Sequence, residues 1–362
     1  MQAHATETPL SVYQEHPLNA GTPLERLCSS FLTPSELFFV RTHGSLPAIE
    51  RDTYRLGVGG LVQQPLELSL LDLLKQFEQH TLTATLVCAG NRRKELASIR
   101  PLPGELLWDA DPISTARWRG VRLAEVLAAA GIQEEARYVE FRGQDQARIE
   151  GAQTFFTSSI SLEKALEPEV LLVYEMNDEP LTREHGFPLR VLVPGYIGAR
   201  SVKWLREIIL LNSPSTNYFQ ERDYKLFPPG VTAENVDWSQ GQPLEELVLN
   251  AVICTPGDGE TRPAGPTSVR GYAINGGHAA IERVELSTDE GITWTPATIT
   301  TRADRWVWCL WETTLNLPPG PCQLTVRAWD AAGQTQPADA RPLWNFKGYA
   351  NHAWHQIHLY LT

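Results

Sequence analysis

The stretch Thr81-Leu82-Thr83-Ala84-Thr85-Leu86-Val87-Cys88-Ala89-Gly90-Asn91-Arg92-Arg93 changes character halfway. Its first part alternates, with Leu82, Ala84, Leu86 and Cys88 on one parity and Thr83, Thr85 and Val87 on the other. A period of two predicts a strand with an apolar face, and it puts Cys88 on that face at the strand's end. Ala89-Gly90-Asn91 then turns the chain, and two arginines follow. A thiol beside two guanidinium groups has its thiolate favoured, and the thiolate is the form that ligates metal. Taken alone, a buried strand cysteine followed by two solvated arginines is the commoner reading of such a stretch.

Around this strand, helical and strand patterns interleave. Ser69 reads as an N-cap, with Leu70, Leu71, Leu73, Leu74 and Phe77 as an apolar stripe behind it. Leu123, Val126, Leu127 and Ala130 form another stripe, ended by Gly131. Ser161 can cap a short helix through Leu166. Further strands are expected at 137–141, 170–176, 189–193 and 202–211. The spacing is irregular and proline frequent, which predicts a mixed α+β domain and not a doubly wound sheet. From Leu247 the helical period vanishes. Short strands are expected at 247–254, 267–274, 281–287, 306–311 and 323–329, with turns at Pro256-Gly257-Asp258-Gly259, Asn275-Gly276-Gly277, Asp289-Glu290-Gly291 and Pro318-Pro319-Gly320. That rhythm predicts an immunoglobulin-like β-sandwich of roughly seven strands. The division expected is 1–245 for the α+β domain and 246–362 for the sandwich.

The 362 residues carry a net charge of −12, which argues against nucleic acid and anionic membranes as partners. No apolar run approaches the roughly 18 residues of a membrane span. Residues 1–8 are polar, without a charged start, an apolar core or a twin-arginine pair. The sequence therefore reads as cytoplasmic, or as periplasmic if an export signal has been removed. None of the five cysteines forms a CxxC pair, so zinc-ribbon and haem-attachment spacings are absent. The set reads as mostly reduced thiols, with a Cys309–Cys322 bridge across a hairpin left open.

Cys-Ala-Gly-Asn-Arg-Arg at 88–93 resembles the motif around the molybdenum-ligating cysteine of the sulfite oxidase family, and other family-like segments follow in family order. They include Phe39-Val40-Arg41-Thr42-His43, Trp108 with Ile113-Ser114-Thr115-Ala116-Arg117-Trp118, Tyr174-Glu175-Met176-Asn177 and His185-Gly186-Phe187-Pro188-Leu189-Arg190. Beyond these come Gly198-Ala199-Arg200-Ser201-Val202-Lys203-Trp204, Arg222-Asp223-Tyr224-Lys225, Trp344-Asn345-Phe346-Lys347-Gly348 and Asn351-His352-Ala353-Trp354-His355. The resemblance runs from about Phe39 to the C-terminus. It implies a sulfite-oxidase-like molybdopterin domain followed by a sandwich through which two copies pair. Cys88 would ligate molybdenum. Phe39, Val40, Arg41, Thr42, His43, Asp145, His185, Arg190, Ser201, Val202 and Lys203 would hold the pterin and its phosphate. Arg41, Arg93, Trp108, Tyr224 and Lys347 would line an oxyanion pocket. An acidic protein needs such a local basic site to hold an anionic cofactor and an anionic substrate.

The implied chemistry is oxidation of sulfite to sulfate by oxygen-atom transfer. With no haem motif in the chain, the electrons would pass to an external acceptor, and the acidic surface suits a basic cytochrome. The sequence departs from the family at three places. Thr42 stands where asparagine is usual. Asp111-Pro112 replaces Gly-Ala and removes a backbone donor expected near the site. Lys347 stands where sulfite-oxidising members carry arginine, which keeps alive nitrate or sulfoxide reduction on the same scaffold. A non-catalytic binding protein is the remaining alternative.

Overall fold

The computed structural model describes residues 9–301 and 305–362. The polar stretch 1–8, on which the reading of compartment rests, lies outside the described residues. Among the described residues no helix is long and apolar enough to cross a membrane.

The first two thirds of the chain build two five-stranded sheets. In one, Glu179–Pro180, Leu171–Met176, Ile113–Arg122 and Gln79–Val87 lie side by side, and Arg190–Leu192 also pairs with Leu171–Met176; all these pairings are antiparallel. In the other the order is Leu66–Leu68, Leu56–Gly60, Leu205–Leu211, Tyr138–Ile149 and Ala152–Ser161, with Leu56–Gly60 and Leu205–Leu211 parallel. The helices are short, and Leu70–Gln76, Leu123–Ala130 and Leu162–Ala165 lie over this core, so the domain is α+β. Ser69 caps Leu70–Gln76 by accepting from the Asp72 amide, and the Asp72 carboxylate returns the bond to the Ser69 amide. Leu70 and Leu73 are buried and Leu71 is 56% exposed, so the buried stripe keeps the i, i+3 positions and Leu71 falls outside it. Gly131, at φ +70°, ends Leu123–Ala130.

The last third is a sandwich. One sheet holds Asn250–Thr255, Gly265–Ile274, Cys309–Leu317 and Thr298–Ile299. The other holds Thr261–Arg262, His355–Leu361, Gly320–Asp330, Ile281–Ser287 and Thr295–Pro296. Val269, Trp311, Leu324, Val326 and Ile357 fill the space between them. His355–Leu361 alternates buried and exposed residues, a period-two strand beyond those expected from the sequence. Cys309 pairs with Ala273 in one sheet and Cys322 with Leu359 in the other. They are not hairpin partners, and no disulfide forms among the described residues.

Strand Gln79–Val87 sits where the two parts meet. Leu82, Ala84 and Leu86 pack into the first part with Cys88. Val87, on the opposite face, packs with Val252, Tyr272, Ile274 and Trp308 of the sandwich. Thr85 accepts from the Trp308 amide at 3.0 Å, and its own amide donates to the Trp306 carbonyl at 2.9 Å. The strand is covered on both sides, and so its end is held firmly.

Candidate active site

Cys88 follows the last residue of this strand. Its amide donates to the Pro112 carbonyl (2.9 Å) and its carbonyl accepts from Asn91 (3.0 Å), which closes a tight turn. Gly90 has no room for a side chain: a Cβ there would lie 2.9 Å from Arg93 Cζ and 3.1 Å from Trp108. Arg92 adopts the left-handed conformation at φ 63° and starts helix Arg93–Ile99. Cys88, 8% exposed, faces a cavity.

The two arginines part company at this turn. Arg92 points into the sandwich, where it donates to Asn250 Oδ1 (2.7 Å) and the Ala353 carbonyl (2.6 Å), and it also pairs with Glu95. It is therefore a bond between the two parts of the chain and not a neighbour of the thiol. Arg93 turns back, with its guanidinium over the Tyr349 ring at 4.8 Å and Nη1 3.2 Å from Glu105.

The cavity that Cys88 faces is also lined by Phe39, Arg41, His43, Asp145, His185, Arg190, Ser201, Val202, Lys203 and Tyr224. Val40 and Thr42 alternate away from it: Val40 bridges to Ala20, and the Thr42 amide donates to Asn19 Oδ1. Asp145 arrives through a register shift between Arg142 and Gln146 in the pairing with Ala152–Ser161. Such a bulge re-aims a side chain. Gly143 in the same bulge lies against Asp145 and the Lys203 carbonyl, with no space for a Cβ.

The electrostatics of this cavity are unusual. Burial pulls Arg190 down to about 9. Burial and then Arg190 pull Lys203 down to about 7. Burial, with Lys203 and Arg190, pulls His185 down to about 3. His43 is held well below its usual range by burial and then by Arg41, Lys203 and Lys347. Asp145 is pushed up to about 6, because burial outweighs the pull of Lys203. Basic groups thus crowd one another in a dry space, and Asp145 Oδ1 has no hydrogen-bond partner. An anion placed here would reverse most of these shifts.

Tyr224 Oη and His43 Nε2 are 2.7 Å apart. Burial keeps the phenol protonated, and its ring stacks on Tyr349 at 5.4 Å. Arg41 donates to Asn19 Oδ1 at 3.1 Å. Arg93, Trp108 and Lys347 do not line the cavity itself. Lys347 Nζ lies 2.5 Å from Glu105 and 2.8 Å from Asp223. Trp108 is fully buried behind Gly90, with its ring 4.6 Å from that of Tyr13. The Asp111-Pro112 departure has a further consequence besides the missing backbone donor. Pro112 supplies the carbonyl that fixes Cys88, and the Asp111 carboxylate, raised to about 7 by burial, accepts from Tyr13 at 2.8 Å. Asn19, Glu105, Asp223 and Tyr349 join the site without having been singled out from the sequence. Asp223 had a signal, as an acidic residue inside the Arg222–Lys225 segment; Asn19 and Glu105 had none.

Residues 43–219 match the family described as an oxidoreductase molybdopterin binding domain, and residues 242–362 match the Mo-co oxidoreductase dimerisation domain. The chain is 42% identical to the mitochondrial sulfite oxidase of Homo sapiens, an alignment that covers 98% of this chain and 66% of that protein. It is 38% identical to the sulfite oxidase of Arabidopsis thaliana, with coverage of 97% and 94%. Among solved structures, the sulfane dehydrogenase SoxCD from Paracoccus pantotrophus aligns with a TM-score of 0.81 at 26% identity, over 98% of this chain and 86% of that one.

Proposed function

This chain belongs to the sulfite oxidase family of molybdopterin oxidoreductases, and from that premise we propose that it oxidises sulfite to sulfate and passes two electrons to an external acceptor. The observation that carries the reading is the placement of buried Cys88 on the wall of a cavity lined by Arg41, His43, His185, Arg190 and Lys203. Those residues fit molybdopterin. The crowded cations want a phosphate, the unpartnered Asp145 Oδ1 wants an N–H donor such as a pterin ring carries, and the thiol is a soft metal ligand. We assign Cys88 to the metal. Phe39, Arg41, His43, Asp145, His185, Arg190, Ser201, Val202 and Lys203 are assigned to the pterin and phosphate, with Val40 and Thr42 holding their segment in place through backbone bonds to Ala20 and Asn19. We read 1–245 as the cofactor-binding part and 246–362 as the part through which two copies pair.

The bound cofactor supplies the oxygen-atom transfer and stores the two electrons; the chain's own residues do the rest. Arg41 offers a planar, permanently charged donor whose direction Asn19 fixes. Tyr224 stays protonated and His43 beside it stays neutral, so the two share a hydrogen bond without a proton changing hands, and the phenol keeps a hydroxyl that can donate to an oxyanion. Burial of these groups excludes water and strengthens each contact with an oxyanion. Arg93 and Lys347 stand beside the pocket, each already paired with a carboxylate, and Trp108 backs the turn that carries Cys88.

One observation favours a second reading, nitrate or sulfoxide reduction on this scaffold: Lys347 is already matched by two carboxylates, which lessens its pull on a dianion. Sulfite-dependent reduction of ferricyanide by purified protein, with molybdenum measured on the same sample, separates the two. About one molybdenum per chain with sulfite turnover is expected. Cys88→Ser should lose most of the turnover, and full turnover by that variant would remove Cys88 as the ligand. The net charge of −12 suits a basic cytochrome as acceptor.

A further inference from the structure

Arg93 and Lys347 are joined by a single carboxylate. Glu105 places Oε1 2.5 Å from Lys347 Nζ and Oε2 3.2 Å from Arg93 Nη1. The three side chains are only 18%, 14% and 5% exposed, in the order Glu105, Lys347 and Arg93, so solvent screens the contacts weakly. Asp223 adds a second carboxylate to Lys347 at 2.8 Å. Burial alone would lower the Lys347 pKa, but Asp223 and then Glu105 outweigh it and raise it, so the ammonium is charged. Two cations thus face two anions, and the group as a whole is neutral.

A carboxylate reaching one oxygen to each of two cations presents the same pattern as two oxygens of a sulfur oxyanion. Glu105 is also in a place from which it can move. It follows Gly104, at φ +80° with open space around it, in an irregular loop between helix Arg93–Ile99 and strand Ile113–Arg122. Leu107, two residues on, is 44% exposed. We propose that Glu105 is a built-in competitor for the substrate oxyanion: it holds Arg93 and Lys347, which both lie against the Tyr349 ring stacked on the cavity-lining Tyr224, and gives them up when an oxyanion takes its place. This rests on the reading of the pocket as an oxyanion site. Glu105 would then set the affinity of the pocket, and the lysine at 347 would matter chiefly through how easily it exchanges one anion for another.

Displacement and simple repulsion make different predictions. If Glu105 must leave, every oxyanion meets the same cost, and removing the charge should tighten all of them by one common factor. If Glu105 stays and only repels, a dianion should gain about the square of the factor that a monoanion gains, because the energy scales with ligand charge. The test is calorimetric titration of the holoenzyme with sulfate and, separately, with nitrate, for wild type, Glu105→Gln and Glu105→Asp. Glu105→Gln should bind both anions about tenfold more tightly, by the same factor. Glu105→Asp, too short to span both cations, should fall between it and wild type, and it remains readable if the glutamine variant folds poorly. Glu260→Gln, which removes an ion pair with Arg262 in the sandwich, is the control and should change nothing. Unchanged or weaker binding in both variants overturns the proposal, as does tightening that follows the square law. Sulfite turnover by wild type tests the underlying reading separately, since anion binding is read without turnover.

Discussion

Two residues allow sharp tests of the site. Tyr224→Phe removes one hydroxyl, and with it the contact to His43 Nε2. It should leave the fold intact and lower kcat/KM for sulfite by a factor equivalent to roughly 1–3 kcal/mol; unchanged steady-state kinetics would place Tyr224 outside the reaction. Lys203 makes a pH prediction. Its pKa is about 7 in the folded chain against 10.5 ordinarily. Between those values the unfolded chain holds the extra proton, so cofactor-free protein should gain stability as pH rises from about 7 toward 10. Asp145, raised from 3.8 to about 6, works in the opposite sense over a lower window and is spent by pH 7. A phosphate beside Lys203 would return its pKa toward normal and flatten the gain. Melting temperature against pH, with and without cofactor, checks this; equal slopes would show that Lys203 does not meet the anion. The motif around Cys88 was legible residue by residue, but the fates of its two arginines were not. Arg92 and Arg93 are neighbours in sequence, and only the left-handed backbone at Arg92 sends one into the sandwich and the other toward the pocket.

At the scale of elements, the caps and stripes were readable because they are local. Ser69, Ser161 and Gly131 do at the helix ends what their side chains, or the lack of one, dictate. The strands were read only in part: Leu56–Gly60, Ile113–Arg122 and Ala152–Ser161 were not expected, and the segment expected at 137–141 runs Tyr138–Ile149. Its extension carries the bulge that delivers Asp145, and bulges leave no period in the sequence. That bulge depends on Gly143, where a Cβ would sit 2.5 Å from Asp145 Oδ1 and 2.9 Å from the Lys203 carbonyl. Gly143→Ala should therefore push apart two groups assigned to the cofactor. We expect the purified variant to fold and to carry clearly less molybdenum than wild type. Full loading would mean that Asp145 and Lys203 can shift without consequence.

At the scale of the molecule, the change from mixed pattern to pure strand near residue 247 announced two parts, and what joins them was hidden. Arg92 is fully buried, and its bonds to Asn250 and Ala353 are charge-assisted. Arg92→Ala would strand Glu95 and take a donor from Asn250 Oδ1 and the Ala353 carbonyl, a cost of about 3–5 kcal/mol. Calorimetry should show one cooperative transition for wild type and an earlier or split one for the variant. The sandwich also carries half-buried Trp294, Trp329 and Trp354 gathered around Arg327, at 3.8, 5.3 and 5.7 Å. Aromatic and arginine side chains in such a cluster suit a protein interface. Light scattering at micromolar concentration should give a dimer, and a monomer would contradict the pairing. The turn from Cys88 to Arg93 also bears on how the enzyme matures. Cys88 precedes by four residues a side chain that draws two of its partners, Asn250 and Ala353, from the sandwich, so the turn that presents the thiol is completed only after the C-terminal third of the chain has been made and has docked. An incomplete nascent chain would offer the incoming cofactor a poorly shaped receptor, and loading would follow synthesis rather than accompany it.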